Sequence, residues 1–179
     1  MARAYGEFVL EDGSKVVLRS PRWEDLDSLT EFINSLVEEG APIARDKKVT
    51  REEEVEWLAG RLADIEKGQT IMIVAEIKSK VIGNSEINRL RGYQNHVGLL
   101  GIAVAREYRN RGIGTKMLET LIEESMRTGL KLLVLDVLST NTKARHVYNK
   151  VGFKEAGAVP KMARIKEGYD DVIRMYLEL

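Results

Sequence analysis

The stretch "REYRNRGIGTKMLETLIEESM", Arg106 to Met126, decides the fold. An apolar, strand-like run, "GLLGIAVA" (Gly98 to Ala105), leads into it. A helical pattern leads out from about Gly112 to Arg127, with Ile113, Met117, Leu118, Leu121 and Ile122 on one face. A helix N-terminus presents unpaired N–H groups and a partial positive charge, so it attracts phosphate. Gly112 and Gly114 lack Cβ atoms and let a ligand oxygen approach the backbone, while Arg109, Arg111 and Lys116 add cations around the same point. The pattern predicts a phosphate-binding turn; the plain alternative is a strand-to-helix turn whose charges are solvated.

Elimination narrows the ligand. A dinucleotide fingerprint would need a third glycine where Met117 stands. No glycine is followed by lysine, so there is no P-loop, and no Gly-x-Ser-x-Gly elbow marks a serine hydrolase. Lys plus Arg and Asp plus Glu both count 28, which gives no net field to favour nucleic acid or an anionic membrane. Cysteine is absent, which excludes disulfides, thiolate ligands and a cysteine nucleophile. With only His96 and His146, a metal site is not expected, and His96 reads as ordinary surface. No signal core or spanning apolar run is evident in the 179 residues, so a single cytoplasmic domain over residues 1–179 is the expectation.

Working outward, the chain reads as alternating strands and helices in a mixed α/β sheet. "KVVLRS" (Lys15 to Ser20) predicts the first strand, with Ser20 and Pro21 starting a helix that carries Leu26, Leu29, Ile33, Leu36 and Val37. Glu38 to Lys48 reads as a loop. Thr50 and Glu53 form a capping box for a second helix with Val55, Leu58, Leu62 and Ile65 as its stripe. "TIMIVAEI", "VIGNSEINRLR" and "HVGLLGIAVA" are the next three strands. Leu130 to Leu138 predicts a central strand apolar on both faces, and "NTKARHVYNKVGF" a short helix ended by Gly152. Two final strands, near Phe153 to Gly157 and Asp171 to Leu179, would flank a long loop from Ala158 to Tyr169.

The turn, the strand before it and the short helix near Tyr148 together resemble the GNAT superfamily of acyl-CoA-dependent N-acetyltransferases. Arg109-Asn110-Arg111-Gly112-Ile113-Gly114 matches the signature Arg/Gln-x-x-Gly-x-Gly/Ala, after a strand ending in Val104. Asn141, Ala144, Tyr148, Gly152 and Phe153 match the family's second string at its spacing. The resemblance implies a mostly antiparallel sheet of about seven strands, helices on both faces, and a splayed central parallel pair. It implies acetyl-CoA as co-substrate, with backbone amides from Arg111 through Gly112, Ile113, Gly114 and Thr115 to Lys116 on the pyrophosphate. The strand edge at Ile102, Ala103 and Val104 would pair with the pantetheine arm, and Asn141 would contact it. Gly98 and Gly101 suit either close ligand approach or packing.

Amide formation needs a neutral amine, an oxyanion contact and a proton for the departing thiolate. By resemblance, Tyr148 supplies that proton and a backbone amide near Val104 the oxyanion contact. Two carboxylates compete as base. Asp136 lies in the apolar strand "LLVLDVL", where burial should raise its pKa whereas a nearby cation would hold it down, and a glutamate holds this place in the ribosomal-protein N-terminal acetyltransferases. Glu86, in "GNSEINRL", is the rival on a neighbouring strand. Without cysteine, transfer would be direct, within a ternary complex. Implied acceptors are a protein N-terminus, an amino acid or a small amine, and a homodimer is common in the family. The competing reading is a non-catalytic acyl-CoA-binding regulatory domain.

Overall fold

A computed structural model describes residues 3–43, 45–166 and 168–179; Ala44 and Glu167, inside the two predicted loops, lie outside the described residues. Eight strands form one sheet: β1 (Ala4–Val9), β2 (Lys15–Arg19), β3 (Thr70–Ile77), β4 (Lys80–Arg89), β5 (Val97–Val104), β6 (Leu132–Leu138), β7 (Lys154–Ile165) and β8 (Gly168–Glu178). Their order across the sheet is β1-β2-β3-β4-β5-β6-β8-β7, and only β5 and β6 run parallel to each other. Four helices cover it: α1 (Leu26–Glu38), α2 (Arg51–Glu66), α3 (Ile113–Arg127) and α4 (Thr142–Lys150).

The alternation of β3 shows how the two faces are filled. Met72 and Val74 pack with Leu29, Phe32 and Leu36 of α1 and Leu58 of α2. Ile73 and Ala75 pack with Met117, Leu118 and Leu121 of α3, in a larger core that also holds Tyr148 of α4 and Phe153. Helices on both faces and a mostly antiparallel sheet are as the sequence predicts.

Four expectations need correction. The eighth strand, β1, is not among the expected ones: only Tyr5 and Phe8 of it pack on the core, so its apolar signal is thin, although Asp12-Gly13 marks the hairpin to β2. α1 begins at Leu26 rather than at Ser20 and Pro21. The reason is Asp25, whose carboxylate accepts from the Arg22 backbone N–H at 2.9 Å and from Arg19 at 2.7 and 2.6 Å. Arg19 also donates to Glu76 at 2.7 Å, so a buried ion cluster fixes the helix entry. The predicted loop from Ala158 is instead paired backbone, the hairpin of β7 and β8. β7 is an exposed edge strand with a register shift between Val159 and Ala163, where Pro160 is tolerated. Finally, β6 is buried on one face only. Leu133, Leu135 and Val137 are in the core, whereas α1 and α2 do not reach over Val134 and Asp136.

Candidate active site

The turn before α3 leaves the helix start uncapped and open, the geometry an anion cradle requires. Gly112 holds φ +80°, a left-handed conformation that side chains resist, and a Cβ placed there would meet nothing within 4 Å. No side chain caps α3, unlike α2, where Thr50 and Glu53 form the predicted box, or α4, capped by Asn141. The first helical bond is Lys116 N–H to the Gly112 carbonyl at 3.1 Å, which leaves the N–H groups of Ile113, Gly114 and Thr115 without helical acceptors. Space above Gly114 is open too, with Val104 Cγ2 as its nearest neighbour at 3.9 Å.

The cations around this turn already have partners. Arg109 donates from Nε to the Val104 carbonyl at 2.7 Å and pairs with Glu39. Arg111 pairs with Asp12 on the β1–β2 turn and stacks over Tyr108 at 5.9 Å. Hydrogen bonds from the Ser14 backbone, then from Arg111, hold the Asp12 carboxyl down at about 2. Lys116 pairs with Glu119 at 3.0 Å.

Beside the cradle, β5 and β6 part company. They pair only at Val97–Leu132, Gly98–Leu133 and Leu99–Val134, which is the splay that the sequence implies. Ala105 N–H donates to the Ile82 carbonyl at 2.9 Å, so the odd residues of β5 bond to β4. Leu100, Ile102 and Val104 therefore turn their backbone groups towards the side that β6 has left. The two glycines of β5 divide cleanly. A Cβ at Gly98 would sit 2.5 Å from Ile87 Cγ2, so that glycine serves packing. One at Gly101 would meet only Glu86 Cγ, at 4.0 Å, so that glycine leaves space.

Glu86 and Asp136 both lie on the α1/α2 face. Glu86 stands beside Gly101 and Met72 in the ladder. Its Oε1 accepts from Asn88 at 3.0 Å, and Asn88 in turn accepts from Arg61 of α2 at 2.7 Å and from Thr70 at 2.8 Å. Glu86 Oε2 is buried without a hydrogen bond; Arg61 stands 3.8 Å away. Asp136 is different from expectation: it is exposed, and Arg174 of β8 takes both its oxygens at 2.9 and 2.7 Å. No helix covers that part of β6.

On the other face, Tyr148 packs against Phe153 with ring centroids 6.0 Å apart. Burial pushes its phenol up to about 12. Its hydroxyl makes no hydrogen bond among the described residues. Asn141 Oδ1 accepts from the Ala144 N–H at 3.2 Å, which commits that oxygen to the helix and leaves its amide NH2 for a ligand.

Sequence reasoning missed Glu39, Asp12, Asn88, Arg61 and Arg174, all of which act across elements distant in the chain. Missed too was Asn84, two residues before Glu86 on the same face, whose side-chain oxygen is buried without a partner. The predicted loop after α1 does meet the β7–β8 hairpin, since a Cβ at Gly40 would lie 3.7 Å from Lys166 Nζ. Among the described residues no acidic or histidine cluster could hold a metal ion, and no helix is long and apolar enough to cross a membrane.

Comparison with known proteins agrees with this geometry. Residues 30–153 match the model of the acetyltransferase (GNAT) family. The chain is 34% identical over 87 residues to a probable N-acetyltransferase camello of Xenopus laevis, a match that spans 40% of that protein. It is 24% identical to the L-amino acid N-acyltransferase MnaT of Escherichia coli, over 90% of this chain and 93% of that one. It is 35% identical to the bS18-alanine N-acetyltransferase of the same organism, over 45% of this chain and 55% of the relative. A GNAT acetyltransferase from Streptococcus pneumoniae superposes with a TM-score of 0.82 at 28% identity, covering 92% of this chain and 99% of its own. A ribosomal-protein-alanine N-acetyltransferase from Brucella melitensis gives 0.81 at 26%, covering 90% and 99%. More distant neighbours of the same fold are solved with acetyl-CoA or CoA bound.

Proposed function

This chain belongs to the acetyltransferase (GNAT) family, and we propose that it moves the acetyl group of acetyl-CoA onto an α-amino group, of an amino acid or of a protein N-terminus. The relatives support that acceptor class: MnaT is an L-amino acid N-acyltransferase, and two others are ribosomal-protein-alanine N-acetyltransferases. The uncapped N–H groups of Ile113 to Thr115 hold the pyrophosphate, and the open edge at Ile102 to Val104 receives the pantetheine arm as an added strand. The thioester then lies in the splay, against the backbone N–H groups of Ile102 and Val104.

Glu86 is the base in this reading. The observation that carries it is Glu86 Oε2, buried, without a hydrogen bond among the described residues and beside the gap at Gly101. Asp136 is exposed instead, with Arg174 donating to both of its oxygens. Glu86 removes a proton from the acceptor ammonium, and the free amine attacks the thioester carbon. A C–N bond forms, the C–S bond breaks with its electron pair leaving on sulfur, and the nitrogen gives up its second proton to solvent. A phenol at about 12 is too weak an acid to hand its proton fully to a thiolate, so Tyr148 stabilises the leaving sulfur by hydrogen bonding until solvent protonates it.

Rates for an alanine-initiated peptide and for L-methionine sulfone, read as CoA release, test this scheme. Glu86→Gln should lower kcat/KM about a hundredfold or more, most strongly at low pH, with partial recovery as pH rises. Asp136→Asn should cost less. The reverse ranking would move the base to Asp136. A wild type that binds acetyl-CoA yet acetylates no amine would return the chain to a binding domain.

A further inference from the structure

Two side-chain oxygens on the α1/α2 face of the sheet are buried without any hydrogen bond: Asn84 Oδ1 and Glu86 Oε2. Both belong to β4 and stand two residues apart, so their Cα atoms are about 7 Å from each other on one face. In the ladder Asn84 is opposite Ala103 and Glu86 opposite Gly101. The two therefore flank the level of Ile102, whose backbone faces the splay. Buried oxygens of this kind cost free energy unless something donates to them. Neither is accidental packing. Asn88 pins the other Glu86 oxygen, and Oε2 faces Arg61 at ion-pair distance, 3.8 Å, without a hydrogen bond from it. The Asn84 amide makes no hydrogen bond at all among the described residues. Arg61 is drawn off to Asn88 and Asp64 and stays 3.8 Å from Glu86 Oε2, too far to satisfy it.

We infer that Asn84 and Glu86 together form the seat of the acceptor's ammonium group, Asn84 Oδ1 taking one N–H and Glu86 Oε2 another. This rests on the reading of Glu86 as base and adds a residue to it. The chemistry that fits is a small primary ammonium. Two oxygens on one strand bind a nitrogen that offers several N–H donors in a cone, and they give nothing to a quaternary nitrogen. Gly101 deepens the seat, because any side chain there would project over Glu86. Asn84 also contributes what a second carboxylate would not. It holds the N–H by a neutral carbonyl, so it does not compete for the proton that Glu86 must remove. When Glu86 has taken that proton, an N–H remaining on Asn84 keeps the neutral amine beside the thioester.

Binding and turnover test the seat separately. In the protein saturated with CoA, titration with methylammonium should shift the Asn84 side-chain NH2 resonance, identified by its loss in Asn84→Ala. Tetramethylammonium should leave it in place. In turnover, Asn84→Ala should raise KM for the amine roughly tenfold to a hundredfold, the range for a hydrogen bond to a charged group. KM for acetyl-CoA should not change. Asn84→Asp keeps an acceptor oxygen and should restore amine KM to near the wild-type value, a rescue that a packing role would not give. It should also shift the pH profile, since a second carboxylate then faces the ammonium. Melting temperatures of all variants check the fold, and Asn84→Ser serves in place of alanine if the latter unfolds. An unchanged amine KM in Asn84→Ala overturns the seat and leaves Glu86 as base; it would mean that water alone fills the site. A parallel rise in acetyl-CoA KM overturns it too, by placing Asn84 on the donor side. If methylammonium shifts Asn84 while no amine is acetylated, the seat stands and the proposed activity falls.

Discussion

Gly98 and Gly101 sit three residues apart on β5, on opposite faces, and should respond to substitution in opposite ways. At Gly98 an added methyl would lie 2.5 Å from Ile87 Cγ2, 3.0 Å from Leu133 and 3.1 Å from Leu130. Ile87 and Leu133 are fully buried and cannot step aside without disturbing the core around them. Overpacking of this sort costs about 1–3 kcal/mol, and the entropy advantage of alanine over glycine in the unfolded chain returns roughly 0.4–1 kcal/mol. The net for Gly98→Ala is then about 1–2 kcal/mol, or roughly 2–8 °C in Tm for a chain of this size. Activity per folded molecule should survive, because Gly98 lies before the splay opens. Gly101→Val should do the reverse. Its backbone has ordinary φ, its face is open, and valine suits a strand. The new γ-methyls would stand over Glu86 in the path of the amine, and a misplacement near 1 Å there costs on the order of a hundredfold in rate. Thermal unfolding and acceptor kinetics on both variants decide it. A Gly98→Ala protein as stable as wild type would refute the packing argument. A Gly101→Val protein of normal stability and normal kcat/KM would remove the amine from the Glu86 side of β5.

Three further outcomes are expected. Gly114→Asp should fold normally, since its space is open, yet lose acetyl-CoA affinity by at least tenfold in calorimetry through like charge against the pyrophosphate. Tyr148→Phe should lower kcat modestly, and it should also change the alkaline limb of stability. Burial raises the folded phenol to about 12, so the folded state binds more protons than the unfolded one between the ordinary value of 10 and 12. Stability conferred by the protonated phenol is complete below pH 10 and is lost as pH rises to 12, by about 2.7 kcal/mol for two units. Denaturant midpoints should therefore fall more steeply above pH 10 for wild type than for Tyr148→Phe; parallel curves would contradict the burial of the hydroxyl. Asp25→Ala should destabilise by about 3–5 kcal/mol, because it leaves the buried Arg19 with Glu76 as its one remaining carboxylate among the described residues. A loss below 1 kcal/mol in urea unfolding would show that the cluster does not fix the α1 entry.

What the sequence made legible was local. Gly112, Gly114 and the helix after them carry their meaning within a few residues, as do the Thr50–Glu53 box and the string from Asn141 to Phe153. Covering was not legible. "LLVLDVL" has the composition of a strand buried twice, and it predicts a buried Asp136 accordingly. Only the tertiary arrangement shows that α1 and α2 pack over β3 and its neighbours and leave that side of β6 open. Glu86 meets the same limit from the other side. Its flanks look like a solvated strand face, but its isolation comes from Arg61, Thr70 and Asn88, which a linear reading cannot bring together. The β7–β8 hairpin was hidden for a third reason: an exposed edge strand has little burial pattern, and Pro160 argues for a loop unless the partner strand is known.

The same limit applies to the cations of the opening stretch, and it changes what they do. Along the chain, Arg109, Arg111 and Lys116 form one set of positive charges around a helix mouth. In the structure each has a carboxylate, but the carboxylates differ. Asp12 and Glu119 are 51% and 46% exposed at their side chains, and exposed pairs of this kind are worth about 0–1 kcal/mol. In the proposed function, a pyrophosphate held by the N–H groups of α3 would displace them readily and leave Arg111 and Lys116 free to turn to it. Glu39 is only 9% exposed and also meets Arg106, and Arg109 commits Nε to the Val104 carbonyl. Pulling Arg109 away would strand a nearly buried carboxylate and release the last carbonyl of the strand edge. Arg109 is therefore a strut: it fixes the end of β5 against the end of α1, so that the edge which receives the donor and the loop which faces the acceptor keep one spacing. Its motif position follows from that geometry as well as from charge, because a side chain long enough to reach both Val104 and Glu39 must leave the chain one turn before the helix begins.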